Sequence, residues 1–258
     1  MLINPTAHPD WLPPHSLEWY SQIGSLEGKY SYSWNSSITQ PNGESIFDAD
    51  VLQMIKGKKV LDIGCGDGGF TIQCGTVAKE IVGFDATEKF TAAGSEKKRA
   101  NVSFVTGNTK HGLPVERGPF DCAFIRKGPT SAYLFLKEAV KEGGMVLGLH
   151  PGDELGKELP LLFPNFFDKI EGTPTLDHIR QRLEAGSFTS AEIEHIKSIE
   201  YLHSPFDVIK WRCFGQKPNI YKKIIEDNLS EITRIFEGNS TRAGLPITFS
   251  RYIVRISV

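Results

Sequence analysis

The chain is short of what marks secreted, membrane-spanning or nucleic-acid-coating proteins. Only four of its 258 residues are cysteine (Cys65, Cys74, Cys122 and Cys213), and no two form a C-x-x-C pair. That argues against a disulfide scaffold or a zinc site, so no metal is expected, and it fits a reducing cytoplasm. No apolar run approaches the roughly 20 residues that span a bilayer, so no membrane association is expected. The opening MLINPTAHPDWLPPHS lacks a basic stretch followed by an apolar one, so no secretory leader is expected. There is no cationic excess either. The formal net charge is −2, which leaves a nucleic-acid partner unsupported by charge without excluding it. Short basic groups such as Lys97-Lys98-Arg99 read as solvated faces. Internal repeats and low-complexity tracts are lacking as well.

What is present is an alternation of short apolar runs and helical patterns, with 40% hydrophobic residues, enough for one large core. Strands are predicted at Lys59–Ile63, Glu80–Asp85, Val102–Val105, Phe120–Ile125 and Met145–Leu149. The segments Gly68–Ala78 and Ser131–Lys141 are long enough for the crossover helices that parallel strands need. The class is therefore α/β with a mostly parallel sheet. Past residue 150 the rhythm changes. Pro151, Pro160, Pro164 and Pro174 mark a loop-rich insertion. Helices are predicted over Thr175–Ala185, Pro205–Phe214 and Pro218–Phe236, and a strand over Ile193–Leu202. Thr248–Val258 alternates strictly and predicts a half-exposed strand antiparallel to its neighbour. The first 40 residues hold Trp11, Trp19 and Trp34 with Tyr20, Tyr30 and Tyr32. They read as an aromatic cap on the core or as a lid over a ligand. The expected division is a cap or lid at 1–45 and one domain at 46–258, with an insertion at about 151–190.

The most informative stretch is Val60-Leu61-Asp62-Ile63-Gly64-Cys65-Gly66-Asp67-Gly68-Gly69-Phe70, where a strand runs into a glycine-rich turn and a helix begins. Such glycines open backbone torsions closed to other residues and admit a ligand to the main chain. Free amides of the helix N-terminus are expected to face that ligand. Asp85 closes the next strand, where an acid accepts hydrogen bonds from both ribose hydroxyls of an adenosine. Two cofactor classes compete. Gly64, Gly66 and Gly69 satisfy the dinucleotide fingerprint G-x-G-x-x-G. Asp62 and Asp67, however, place negative charge where a pyrophosphate would lie. Asp62 instead suits an ammonium group, held directly or through water, and this favours S-adenosylmethionine.

Together VLDIGCGDGGF, IVGFDAT, VSFVTGNT, FDCAFI and KEGGMVLGLHPG resemble motifs I to V of class I S-adenosylmethionine-dependent methyltransferases. The likeness is close over about 58–150 and loose over 188–258. It implies a three-layer Rossmann-like sheet of seven strands in the order 3-2-1-4-5-7-6, strand 7 antiparallel, with helices on both faces. It implies a methionine part beside Asp62, Gly64, Cys65 and Gly66, a ribose on Asp85, and an adenine beside Ala86 and near Asn108 and Thr109. Many members carry Asp where this chain has Asn108, which still accepts a hydrogen bond but without charge.

Methyl transfer from a sulfonium is an in-line displacement that mainly needs alignment and exclusion of water, so a catalytic motif is not required. The stretch after the fourth predicted strand reads Ile125-Arg126-Lys127-Gly128-Pro129-Thr130. It lacks the (D/N/S)-P-P-(Y/F) motif of enzymes that methylate nucleic-acid amino groups. Arg126 is expected to touch the cofactor, and Arg126 or Lys127 to hold an acidic substrate group. The candidate catalytic groups are His150, Arg126 and Tyr32. Tyr30 and Trp34 are expected beside Tyr32, and His178 and His203 are weaker base candidates. The expected acceptor is a small molecule. The alternatives are rRNA or tRNA methylation, an NAD-dependent oxidoreductase using Gly64-Gly66-Gly69, and a non-catalytic adenosine-binding protein.

Overall fold

The computed structural model describes residues 1–258. Helix α1 (Leu17–Glu27) starts where Ser16 Oγ accepts the Trp19 N–H at 3.1 Å and stops at Gly28, φ +63°. Strand β1 (Ser36–Ile38) and helix α2 (Gly43–Met54) follow. None of these three is among the predicted elements. Then come β2 (Lys59–Ile63), α3 (Gly69–Cys74), β3 (Glu80–Asp85), α4 (Glu88–Glu96), β4 (Val102–Thr106) and β5 (Phe120–Arg126). The chain continues with α5 (Leu136–Ala139), β6 (Val140–Pro151), α6 (Leu159–Leu162), α7 (Pro174–Ala185) and β7 (Glu192–Leu202). It ends with α8 (Pro205–Arg212), α9 (Pro218–Asn239) and β8 (Leu245–Ser257).

The sheet has eight strands in the order β1-β7-β8-β6-β5-β2-β3-β4. β2 to β6 run parallel, and β8 lies antiparallel to β6. With β1 set aside, this is the order 3-2-1-4-5-7-6 that the resemblance implies. The eighth strand is β1, which pairs antiparallel with the end of β7 from Ser36↔Leu202 to Ile38↔Glu200. The fold class is as expected and the strand count is one higher.

The chain forms two compact units. One comprises 43–153, 173–196 and 251–258. Here the period of two along each strand divides the apolar side chains between two cores. Val60, Ile81, Phe124, Leu149 and Ile253 lie with Phe47 and Val51 of α2. Leu61, Val82, Ile125 and Val254 lie with Tyr133 and with Ile179 and Leu183 of α7. The sheet is thus covered on both faces. The other unit comprises 1–42, 154–172 and 197–250, and centres on Phe163, Phe166, Ile209 and Ile220. Its aromatic rings gather around Phe214, with Trp19, Tyr30, Tyr32 and Trp34 at 5.4–5.7 Å.

Two local expectations are corrected. β8 is not half-exposed: Ile253 is fully buried and Arg251 only 2% exposed. The residues that read as a water-facing side are paired instead, Arg251 with Glu44 at 2.8 Å and Arg255 with Asp50 and Glu194. The segment Ser131–Lys141 is not one crossover helix. It is a 3-10 turn over Thr130–Phe135 followed by the single turn α5, and β6 begins at Val140 and runs through the glycine pair Gly143-Gly144.

Candidate active site

Parallel strands deliver the residues that follow them to one edge, so the ends of β2, β3, β4 and β5 face a common region. The turn after β2 takes its shape from glycines in the left-handed region: Gly64, Gly66 and Gly68 have φ of +77°, +54° and +72°. A Cβ on Gly64 would come within 2.8 Å of Gly128 Cα and 2.9 Å of Pro129 Cδ, so the turn and the segment after β5 touch backbone to backbone.

The turn satisfies most of its own amides. Gly64 and Cys65 N–H donate to the Phe84 carbonyl at 2.7 and 3.2 Å, and Gly68 N–H to the Cys65 carbonyl at 3.0 Å. Gly66 N–H donates to Asp85 Oδ2 at 2.9 Å. The free amides expected at the helix start are a different set, those of the first turn of α3, which these bonds leave untouched. The glycines make room through their missing side chains, while the four bonded N–H groups are spent in shaping the turn. The charge of Asp67 is likewise countered, by Lys97 Nζ at 2.6 Å. With Asp67 paired, Asp62 is the acid that opposes a pyrophosphate here.

Asp62 is 2% exposed at the end of β2. Its Oδ2 accepts the Thr71 hydroxyl at 2.6 Å, while Oδ1 is buried with no hydrogen-bond partner. Burial pushes its carboxyl up to about 7, with Thr71 and Arg126 opposing the rise and Asp85 adding to it. A buried acceptor with one oxygen unpartnered fits a cationic donor such as an ammonium group. Thr71, from the first turn of α3, is a participant the sequence reading missed. Its only signal is a hydroxyl a few residues past a strand-terminal acid.

Asp85 ties the turn to its own strand, accepting from Gly66 N–H and, through Oδ1, from Thr87 N–H at 2.8 Å. Burial raises its pKa and these backbone hydrogen bonds oppose the rise. Each carboxylate oxygen keeps lone-pair capacity for a further donor. Ala86, next in the chain, is exposed. Beyond β4, Asn108 Oδ1 caps a 3-10 turn by accepting Lys110 N–H at 2.9 Å, and Thr109 shares a 2.6 Å hydrogen bond with Ser131. Cys65 lies half-buried within the turn, its thiol pushed well up by burial and by Asp62 and Asp85.

Arg126, at the end of β5, makes a bidentate pair with Asp48 of α2 at 2.7 and 2.9 Å, and its guanidinium lies 4.9 Å over the Phe70 ring. Lys127, Arg251 and Arg126 hold Glu44 down at about 2 against the effect of burial. His150, in β6, is buried with Nε2 at 2.7 Å from the Tyr133 hydroxyl. Tyr32 lies in the other unit, stacked on Trp34 at 4.4 Å. Asp85 is thus hydrogen-bonded to the glycine turn and Asp62 to Thr71 of the helix that follows it, whereas His150 pairs with Tyr133 and Tyr32 stacks on Trp34.

Burial, and His178 secondarily, push His150 down to about 4. Its folded pKa is below its ordinary value of about 6.5, so the unfolded chain binds its proton more tightly. The stability this residue contributes is complete above about pH 6.5 and is lost as pH falls towards 4. The drop in urea midpoint between pH 7 and 5 should be smaller in His150→Gln than in wild type. An equal drop would assign the acid sensitivity to other groups.

Residues 60–142 match the Methyltransf_25 family model, a methyltransferase domain. No curated protein sequence matches the chain. Among solved structures, a functionally unknown protein from Deinococcus radiodurans R1 is similar, with a TM-score of 0.63 and 18% identity over 93% of this chain and 98% of that one. The YcgJ protein of Bacillus subtilis follows at 0.53 and 20% identity, over 82% of this chain and 98% of its own. The [4+2]-cyclase SpnF gives 0.53 and 14% identity, over 93% and 94%. These likenesses establish a Rossmann-like fold.

Proposed function

We propose that this chain, built on a methyltransferase domain, transfers the methyl group of S-adenosylmethionine to a small-molecule acceptor. One observation carries the reading: the buried, unpartnered Oδ1 of Asp62 at the end of β2, just before the glycine turn. That combination suits a cationic amino-acid nucleoside better than a diphosphate. Asp62 would hold the ammonium group, Gly64, Cys65 and Gly66 would admit the methionine part, and Asp85 would take the ribose. Ala86, Asn108 and Thr109 would border the adenine, with Arg126 behind Asp62. The cofactor supplies an activated methyl on a good leaving group. The chain's part is to orient the acceptor and exclude water, and a base is needed only for an acceptor that must lose a proton early. His150, neutral at pH 7 and hydrogen-bonded to Tyr133, is the candidate for that role.

The net charge of −2 supports a small acceptor over RNA. No helix is long and apolar enough to cross a membrane. The four free cysteines support a reducing, cytoplasmic setting.

Titration calorimetry with S-adenosylhomocysteine and with NADH tests the cofactor. Binding of NADH alone would replace this reading with the oxidoreductase. Asp85→Ala should weaken S-adenosylhomocysteine by about 1–3 kcal/mol, the loss of hydrogen bonds to a charged acceptor. Unchanged affinity would place the ribose elsewhere. The likeness to a [4+2]-cyclase favours a second reading, a cofactor-binding protein that moves no methyl. Labelled methyl transfer from S-adenosylmethionine to any acceptor would exclude it.

A further inference from the structure

Asp62 is a lone carboxylate whose two oxygens have unlike surroundings, and one neighbour accounts for the difference. Thr71 is fully buried, and its Oγ1 donates to Asp62 Oδ2 at 2.6 Å. Oδ1 has no partner. A free carboxyl rotates about its terminal torsion with a broad, roughly two-fold preference, so an untethered Asp62 would share its solvent-shielded space between orientations. The Thr71 hydrogen bond removes that freedom. It also stabilises the charged over the neutral carboxyl, because it donates to the anion. The charged groups acting on Asp62 are Arg126, which favours ionisation, and Asp85, which opposes it. Arg126 is itself fixed by Asp48.

We propose that Thr71 is a positioning residue that holds Asp62 with Oδ1 presented to the cofactor's ammonium group, so that Thr71 sets selectivity for the amino-acid end of S-adenosylmethionine over nucleosides that lack it. The inference rests on the cofactor reading above and goes beyond it. It assigns recognition of one part of the cofactor to a residue that touches none of it. Thr71 is built into α3, so the device works without a moving part.

The discriminating probe is 5′-methylthioadenosine, which keeps the nucleoside and thioether and lacks the amino-acid ammonium and carboxylate. Affinities of both ligands are measured by calorimetry on wild type, Thr71→Val and Thr71→Ser, with melting curves as a folding check. Thr71→Val is expected to weaken S-adenosylhomocysteine about 10- to 100-fold, the range for a hydrogen bond to a charged group, and to leave 5′-methylthioadenosine within about twofold. Thr71→Ser, which keeps the hydroxyl, restores binding to within about threefold. The pH at which wild type loses S-adenosylhomocysteine affinity on acidification moves upward in Thr71→Val, since losing the donor makes Asp62 easier to protonate.

Equal weakening of both ligands, or of neither, overturns the inference while leaving the cofactor reading standing. Wild type that binds neither ligand overturns the cofactor reading and this inference with it. If Thr71→Val does not fold, Thr71→Ala carries the same comparison, and wild type tests the premise that Asp62 meets the ammonium group. Its S-adenosylhomocysteine affinity should fall below about pH 7 while its 5′-methylthioadenosine affinity does not, and parallel pH profiles overturn the assignment.

Discussion

Asp62→Asn should abolish most S-adenosylhomocysteine binding while leaving the free protein at least as stable as wild type near pH 8. The substitution keeps an acceptor for Thr71 and removes the charge. Losing one partner of a buried ion pair costs about 3–5 kcal/mol, or roughly two to three orders of magnitude in Kd. The stability arm follows from the direction of the shift. Burial raises the Asp62 carboxyl from its ordinary 3.8 to about 7 in the folded chain. A raised carboxyl favours the folded state most at low pH and loses that contribution as pH rises through about 7. Above that pH wild type carries a desolvated carboxylate with one unsatisfied oxygen, a cost the amide avoids in exchange for burying its own donors. The melting temperature of Asp62→Asn at pH 8 should therefore match or exceed that of wild type, and the rise produced by saturating S-adenosylhomocysteine should disappear. A variant that melts lower and still gains the full ligand-induced shift would mean that Asp62 is structural and the ammonium sits elsewhere. Natural sites often trade stability for function in this way.

Parts of this site are legible in the sequence because they are local. β2 and β3 coincide with KVLDI and EIVGFD, since a short apolar run bounded by glycine or acid leaves few other readings. Asp62 and Asp85 are visible as strand-terminal acids for the same reason. What was not legible is how hydrogen bonds are distributed across the sheet edge. The Phe84 carbonyl takes the Gly64 and Cys65 amides from a neighbouring strand, and no spacing rule reveals that. Thr71 reaches back to Asp62 across a turn, and Asn108 spends its acceptor on a local cap. Arg126 read as a group open to cofactor or substrate because its partner Asp48 belongs to α2, which is not among the predicted helices. β8 misled for a related reason. Arg251 and Arg255 look water-facing in a strict alternation until Glu44, Asp50 and Glu194 are brought opposite them. Charge pairing across distant segments defeats a periodicity that counts every arginine as exposed.

The largest loss of stability is expected from Gly64→Val. At φ +77° a β-branched residue is strained, at about 1–2 kcal/mol for the left-handed backbone alone. The new side chain would also meet Gly128 Cα and Pro129 Cδ inside 3 Å, and main chain and a proline ring cannot turn aside as a flexible side chain does. Relief requires the segment after β5 to move away from the end of β2, against the parallel pairing that joins these strands from Val60↔Cys122 to Asp62↔Phe124. Together these place the cost at about 3–5 kcal/mol, or roughly 10 °C in melting temperature for a domain of this size. Gly57→Val separates the two contributions. Its φ of +67° is similar, and a Cβ there meets nothing within 4 Å. It should cost about 1–2 kcal/mol, the backbone strain without the collision. If the two variants melt together, the close approach of Gly64 and Gly128 is absent in solution. The turn would then owe its glycine to torsion alone, and the narrow seam beside Asp62 would be open to larger side chains.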